Sequence, residues 1–256
     1  MLKQTPPSKD EILISVGELF DSVYNRYPEK LLSALIPVDK TMYPGLLLIN
    51  EVVNEEMREI CHFVNEFNDY LKNTQEHDQQ IRLKILIYCR IMEADLPMTI
   101  FLDMFHLLIE EPCNWTFRNS SNTVCPYPTG KINELKRFSR VLNLKIGEVL
   151  DRLWIGELRN AFSHSQYILG PDFLLPSGSL SPLSRRDEQD KKNFSAIIFE
   201  EIDKLYDGAN VLLKNFVTAF DYAIKPYMDG KEHSIEAGYV KWERGRWIWS
   251  QNAESK

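Results

Sequence analysis

One apolar stripe near the C-terminal end constrains this chain more than any other feature. Ile198, Ile202, Leu205, Ala209, Leu212, Phe216, Phe220 and Ala223 recur every three or four residues, the spacing that lines up one face of an α-helix. A long helix with a continuous apolar face needs other helices to cover it. The rest of the chain offers them. Residues 9–27 and 45–73 have helical patterning, the second solvated along one face, with Tyr43-Pro44-Gly45 as punctuation before it. In HDQQIRLKILIYCRIMEAD, Ile81, Leu83, Ile85, Leu86, Ile87, Tyr88, Ile91 and Met92 leave almost no polar face, which predicts a central helix. Pro97 opens a further helix to about Glu111.

The Pro/Asn/Ser-rich segment EPCNWTFRNSSNTVCPYPTG then reads as a surface loop or a connection between subdomains. Thr129 can cap a helix to about Leu142, and Asn143 can cap the next one, LKIGEVLDRLWIGELRNAFSH. QYIL and DFLL flank Gly170-Pro171 as a short hairpin, followed by the polar stretch SGSLSPLSRRDEQDKK. In YVKWERGRWIW, a turn at Arg244-Gly245 would pair Trp242 with Trp247 and put Val240 and Trp249 on one face. The predicted fold is mainly α: a helical bundle with an N-terminal helical extension and two small β-hairpins. Its divisions fall at 1–111, a loop at 112–128, a helical domain at 129–228 and a hairpin tail at 229–256, with 77–111 able to join the core of the helical domain.

Composition narrows the function. A net charge of −7 argues against a general nucleic-acid coat protein. The sign is uneven, however: residues 1–110 carry ten Lys or Arg against eighteen Asp or Glu, whereas 131–159 carry seven against four. The start, MLKQTPPSKDE, has no apolar core of a signal peptide, and LPMTIFLDMFHLLIEE is interrupted by Asp103 and His106 before it reaches membrane-spanning length. These features predict a cytoplasmic protein without a membrane partner. Cys61, Cys89, Cys113 and Cys125 form no C-x-x-C pair and are expected as thiols rather than as disulfides or zinc ligands.

The basic segment ends in LRNAFSHSQY, where the apolar pattern gives way to polar groups. On one continuous helix of about 100° per residue, Ile146, Leu150, Leu153, Glu157, Asn160 and His164 fall on one side, and Arg152, Arg159 and Ser163 roughly opposite. If the first side faces inward, Glu157, Asn160 and His164 need partners. They would then line a cleft, meet another chain or form a buried network. Arg159 and His164 are about 140° apart around that axis, so they converge only if the helix ends near Ser163 or if two copies meet across a twofold axis. Once converged, the pair suits RNA cleavage without metal or other cofactor. Arginine grips phosphate with a planar fork of donors. Histidine exchanges protons near neutrality with a ribose 2′-OH or a leaving oxygen.

Arg159-Asn160-Ala161-Phe162-Ser163-His164, with a helix before it, resembles the R-N-x-x-x-H signature of the HEPN superfamily of helical nucleotide-binding and ribonuclease domains. The resemblance covers roughly residues 129–228, and the helix at 77–94 is a candidate earlier member of the same bundle. It implies a helical bundle that forms a homodimer through the motif helix, a composite cleft at the interface, and metal-independent endoribonuclease activity leaving a 2′,3′-cyclic phosphate. Arg159 and His164 would be catalytic, with Asn160, Glu157, Ser163 and Tyr167 as supporting residues. Many members are toxins or parts of antiviral defence systems, which makes RNA and a regulatory partner protein the expected partners. Other members are non-catalytic binding modules. In one branch a tyrosine in R-x4-H-x-Y is modified; here Tyr167 comes one residue later, which weighs against that use.

Other groups have plainer readings. Glu93 and Asp95 fit a solvated pair at a helix end, with a cleft or contact to Arg159 as the alternative. His62 and His106 lack metal-ligand spacing and read as structural. The Trp-rich tail, interleaved with Lys241, Arg244 and Arg246, reads as packing, with base stacking as the alternative. Arg185, Arg186, Lys191 and Lys192 are diluted by acids in a solvated loop.

Overall fold

In the computed structural model, which describes residues 4–36, 49–113, 127–176, 196–235, 238–244 and 246–250, helix α5 (Asp95–Leu108) is buried without a break from Leu96 to Leu108. A helix that is apolar all round has to be enclosed. Around it lie α1 (Lys9–Arg26), α2 (Leu31–Leu35), α3 (Ile49–Asn73) and α6 (Pro128–Leu142). Its first turn is tied to α3, where Glu56 Oε1 accepts the Leu96 amide at 3.1 Å. The predicted central helix, α4 (His77–Met92), is less enclosed. It packs against α3 and α9 (Phe199–Ile224) but keeps Arg82 and Arg90 exposed.

The stripe on α9 is realised. Ile202, Leu205, Ala209, Leu212, Phe216, Phe220 and Ala223 are all buried, and Ile198 lies just before the helix as its N-cap residue. Phe216 meets Phe101 of α5 and Phe20 of α1 edge to face, at centroid separations of 5.4 and 6.3 Å. The core is one cluster that runs from Ile12 to Trp247.

Helix α7 (Ile146–Leu153) approaches α6 closely enough to require glycine. A Cβ on Gly147 would stand 2.6 Å from Lys136 Cα and 2.8 Å from the Leu135 carbonyl oxygen. The Gly147 amide donates to Ser139 Oγ at 2.8 Å, and a Lys136–Asp151 ion pair spans the same contact.

Three helices end in the same way. After α5, Glu110 takes φ 62°, and the Glu111 amide donates back to the His106 carbonyl at 2.8 Å. After α6, Asn143 takes φ 54°, with Leu144 donating to Ser139 at 2.8 Å. After Ser163, Ser165 takes φ 52°, with Gln166 donating to Ala161 at 2.7 Å. Each is a Schellman closure built on a left-handed residue, where glycine is the usual occupant. Asn143 therefore closes α6 rather than capping α7, a correction to its predicted role.

Both predicted hairpins form, and each gains a third strand. β1 (Tyr167–Leu169) pairs with β2 (Phe173–Pro176), and β3 (Ile197–Ile198) pairs with the other edge of β2. β4 (Glu232–Ile235), β5 (Gly238–Glu243) and β6 (Arg246–Ser250) form the second antiparallel sheet, with Trp242 opposite Trp247 and Val240 opposite Trp249 as predicted. Among the described residues no helix is long and apolar enough to cross a membrane.

The N-terminal segment is clamped by Arg152 of α7. It donates to the carbonyls of Thr5 (2.9 Å) and Pro6 (3.3 Å) and pairs with Glu11 at 2.7 Å. Glu11 also completes a capping box with Ser8 at the start of α1. Arg152, with help from the Ser8 amide, pulls the Glu11 carboxyl from its ordinary 4.5 down to about 2.

Two measurements check this packing. Gly147→Ala should destabilise the fold by about 1–3 kcal/mol in denaturant unfolding, because α6 backbone occupies the space of the new methyl. Arg152→Ala should lower the thermal midpoint at pH 7 by the equivalent of about 1 kcal/mol or less, since the pair is half exposed. A depressed carboxyl stabilises the fold fully above about pH 4.5 and loses that contribution as the pH falls through about 2. Melts followed by circular dichroism should therefore show the gap between variant and wild type narrowing over that range.

Candidate functional site

The geometry around RNAFSH begins with a phenol on another helix. Tyr88 of α4 is buried, and its hydroxyl donates to the Leu153 carbonyl and accepts from the Ile155 amide, both at 2.8 Å. A buried tyrosine hydroxyl needs such partners, and burial pushes its ionisation well above the usual range, so it remains a donor. One hydroxyl thus satisfies a carbonyl that ends α7 and an amide that precedes α8 (Gly156–Ser163). The segment predicted as one helix is two, with an extended break at Trp154 and Ile155. The Trp154 indole donates to Thr129 Oγ1 at 2.9 Å, which engages the hydroxyl predicted to cap α6; Tyr127 is the N-cap residue instead.

The break changes what α8 turns inward. Leu158 and Ala161 are buried, while Glu157, Asn160, Ser163 and His164 are exposed. Glu157, Asn160 and His164 do share one face of the helix, as the helical spacing predicts, but that face points outward. The buried network of these three is thereby overturned.

Arg159 lies at the edge of the outward stripe and reaches back to α4. Its Nε forms an ion pair with Glu93, the residue that ends α4, and its Nη1 donates to Asn160 Oδ1 at 3.2 Å. Of the two readings of Glu93 and Asp95, contact with Arg159 is the one observed for Glu93; Asp95 pairs separately with Lys131. Cys89 lies beneath this pair. Burial pushes its thiol up to about 12, Glu93 adds to the shift and Arg159 opposes it, so the group stays protonated.

His164 is the C-cap residue of α8. The closure at Ser165 ends the helix there, and among the described residues the imidazole makes no hydrogen bond or ion pair. No such bond joins it to Arg159 within one chain. Three residues on, Tyr167 begins β1, and its ring stacks with Phe162 at 5.9 Å and 19°. Arg82 of α4 donates through Nη1 to the Tyr167 hydroxyl at 3.0 Å, with its Cζ 5.5 Å from the ring centroid. Arg82 was not singled out in the sequence. Its only local signal is a charge in the middle of an apolar run.

The remaining candidates fall away from this region. His106 is buried against Phe138 with Asp103 at 3.7 Å, and His62 pairs with Glu66 at 3.8 Å on the surface of α3. Val240 and Trp247 belong to the core, and β6 rests on α3, so the tail packs. Cys61 and Cys89 are free thiols, and Cys113 Sγ donates to the Asp103 carbonyl at 3.9 Å; Cys125 and the loop carrying Arg185, Arg186, Lys191 and Lys192 lie outside the described residues. Among the described residues no three His, Cys, Asp or Glu side chains converge to hold a metal ion. Comparison of the chain with family models, curated proteins and solved structures finds no match.

The Tyr88 bridge is directly testable. Tyr88→Phe strands a buried carbonyl and an amide and should cost about 1–3 kcal/mol. The same variant should show faster hydrogen exchange at the Ile155 amide than at amides within α9.

Proposed function

We propose that the protein is a metal-independent endoribonuclease of HEPN type that acts as a homodimer through α8. The observation that carries this reading is the outward stripe of Glu157, Asn160 and His164, with Arg159 at its edge, on a helix that ends at the histidine. Polar groups that the fold does not use for its own packing are available to a ligand or a second copy. A twofold axis beside α8 would bring two such stripes together.

In the proposed reaction the 2′-OH oxygen attacks the adjacent phosphorus and the bond from phosphorus to the 5′-oxygen breaks. The products are a 2′,3′-cyclic phosphate and a free 5′-OH. His164 of one copy takes the 2′-OH proton, and the histidine of the second copy gives a proton to the leaving oxygen. Arg159 binds the non-bridging oxygens, and Asn160, already hydrogen-bonded to that guanidinium, keeps its orientation.

A second reading has its own observation. Glu93 neutralises Arg159 in the resting chain, an arrangement equally suited to a non-catalytic HEPN-like module that binds nucleotide, RNA or a partner protein. Incubation of labelled RNA in EDTA separates the two. For the ribonuclease, Arg159→Ala and His164→Ala should each lower cleavage by about a hundredfold or more with the circular-dichroism spectrum retained, and light scattering should give the mass of a dimer. Binding without cleavage supports the module; cleavage that survives either substitution or needs added metal overturns the ribonuclease.

A further inference from the structure

The arginines near the motif are not equivalent. Arg152 is held by Glu11 and Arg159 by Glu93. Arg82 instead meets the Tyr167 phenol, and among the described residues no carboxylate is paired with it. A guanidinium has five donors, and among the described residues this one gives a single hydrogen bond, to a phenol. It therefore keeps its charge and most of its donors for solvent. The aromatic contact holds it in place without neutralising it. This is the condition of an arginine prepared for phosphate.

The group that holds it belongs to the motif region. Tyr167 lies three residues beyond His164 and stacks with Phe162, which sits on α8 one turn after Arg159. Both rings are only partly buried. Phe162 follows Arg159 by three residues, which makes them neighbours on the helix surface, so a line of groups runs from Arg159 through Phe162 and Tyr167 to Arg82. Along α4 its two ends, Glu93 and Arg82, are about 16 Å apart at about 1.5 Å per residue. Partly exposed aromatic rings beside a positive charge are the elements with which proteins hold unpaired nucleotides, base on ring and phosphate on arginine. A duplex keeps its bases stacked on each other and offers none to a ring.

We infer that Arg82 and the Phe162–Tyr167 pair form a subsite for single-stranded RNA, in which Arg82 binds a phosphate flanking the scissile one and the rings stack an unpaired base. The inference rests on the ribonuclease reading above and specifies the substrate of that site. Arg82 and Tyr167 are binding residues here, and the bonds that form and break are those already given.

The test measures cleavage in EDTA of a labelled single-stranded oligoribonucleotide and of a blunt duplex of the same sequence. The wild-type protein is compared with Arg82→Ala, Tyr167→Phe and Tyr167→Ala, each checked by thermal melting. The single strand should be cut at least about tenfold faster than the duplex. Arg82→Ala should raise KM by about tenfold, with a much smaller change in kcat, since one base stack or one phosphate contact carries about that factor. Binding of the single strand to a His164→Ala background should lose about 0.7 from the slope of log affinity against log salt when Arg82→Ala is added, the share of one phosphate contact. Tyr167→Phe, which keeps the ring, should retain more affinity than Tyr167→Ala. Equal cleavage of duplex and single strand, or a KM and salt slope that Arg82→Ala leaves unmoved in an active enzyme, overturns the subsite while the ribonuclease stands. A wild-type protein that cuts neither RNA overturns both.

Discussion

The direction of α8 depends on one hydroxyl. Without Tyr88, the Leu153 carbonyl and the Ile155 amide would need each other's neighbours, and the simplest solution is to continue α7 as a straight helix. The phenol supplies both partners at once, at 2.8 Å each. The chain can then break at Trp154, turn Leu158 and Ala161 onto the bundle and leave the polar stripe outside. The hydroxyl is itself held by a helix packed against α3 and α9. Placement of the motif is thus set by the core and carried to it through a pair of hydrogen bonds.

The helices and both sheets were legible because they follow periodic apolar patterns. The α9 stripe and the pairing of Trp242 with Trp247 are cases where local spacing and tertiary burial agree. The misread points were two caps and one break. Asn143 fills the left-handed position at the end of α6 where glycine is usual, so it read as the cap of the next helix, and the Thr129 hydroxyl read as a cap but accepts from the Trp154 indole. The break between α7 and α8 has one weak local mark, Gly156. Its cause lies at Tyr88, 65 and 67 residues away from the two groups it binds.

The same distance in sequence limited the reading of the site. The shared face of Glu157, Asn160 and His164 followed from helical spacing, but whether it looked inward depended on Leu158 and Ala161 finding the core first. Glu93 was readable as a helix-end acid, with Arg159 among its alternatives. Arg82 was not readable, because its partner is Tyr167 across the fold and an arginine in an apolar helix is unremarkable by type. Contacts that join distant segments are where single-sequence reasoning stops and packing begins.

The ion pair between Arg159 and Glu93 has a consequence beyond its place in the site. A guanidinium held by its own carboxylate meets every incoming anion with a competitor that is always present and never diffuses away. An external ligand that uses Arg159 binds only as fast and as tightly as Glu93 lets go, and its apparent affinity is reduced by the fraction of time the arginine is free. For an anion that used Arg159, Glu93 would thereby set a threshold: a ligand that also made contacts along α4 and α8 would displace the carboxylate more readily than one that met the arginine alone.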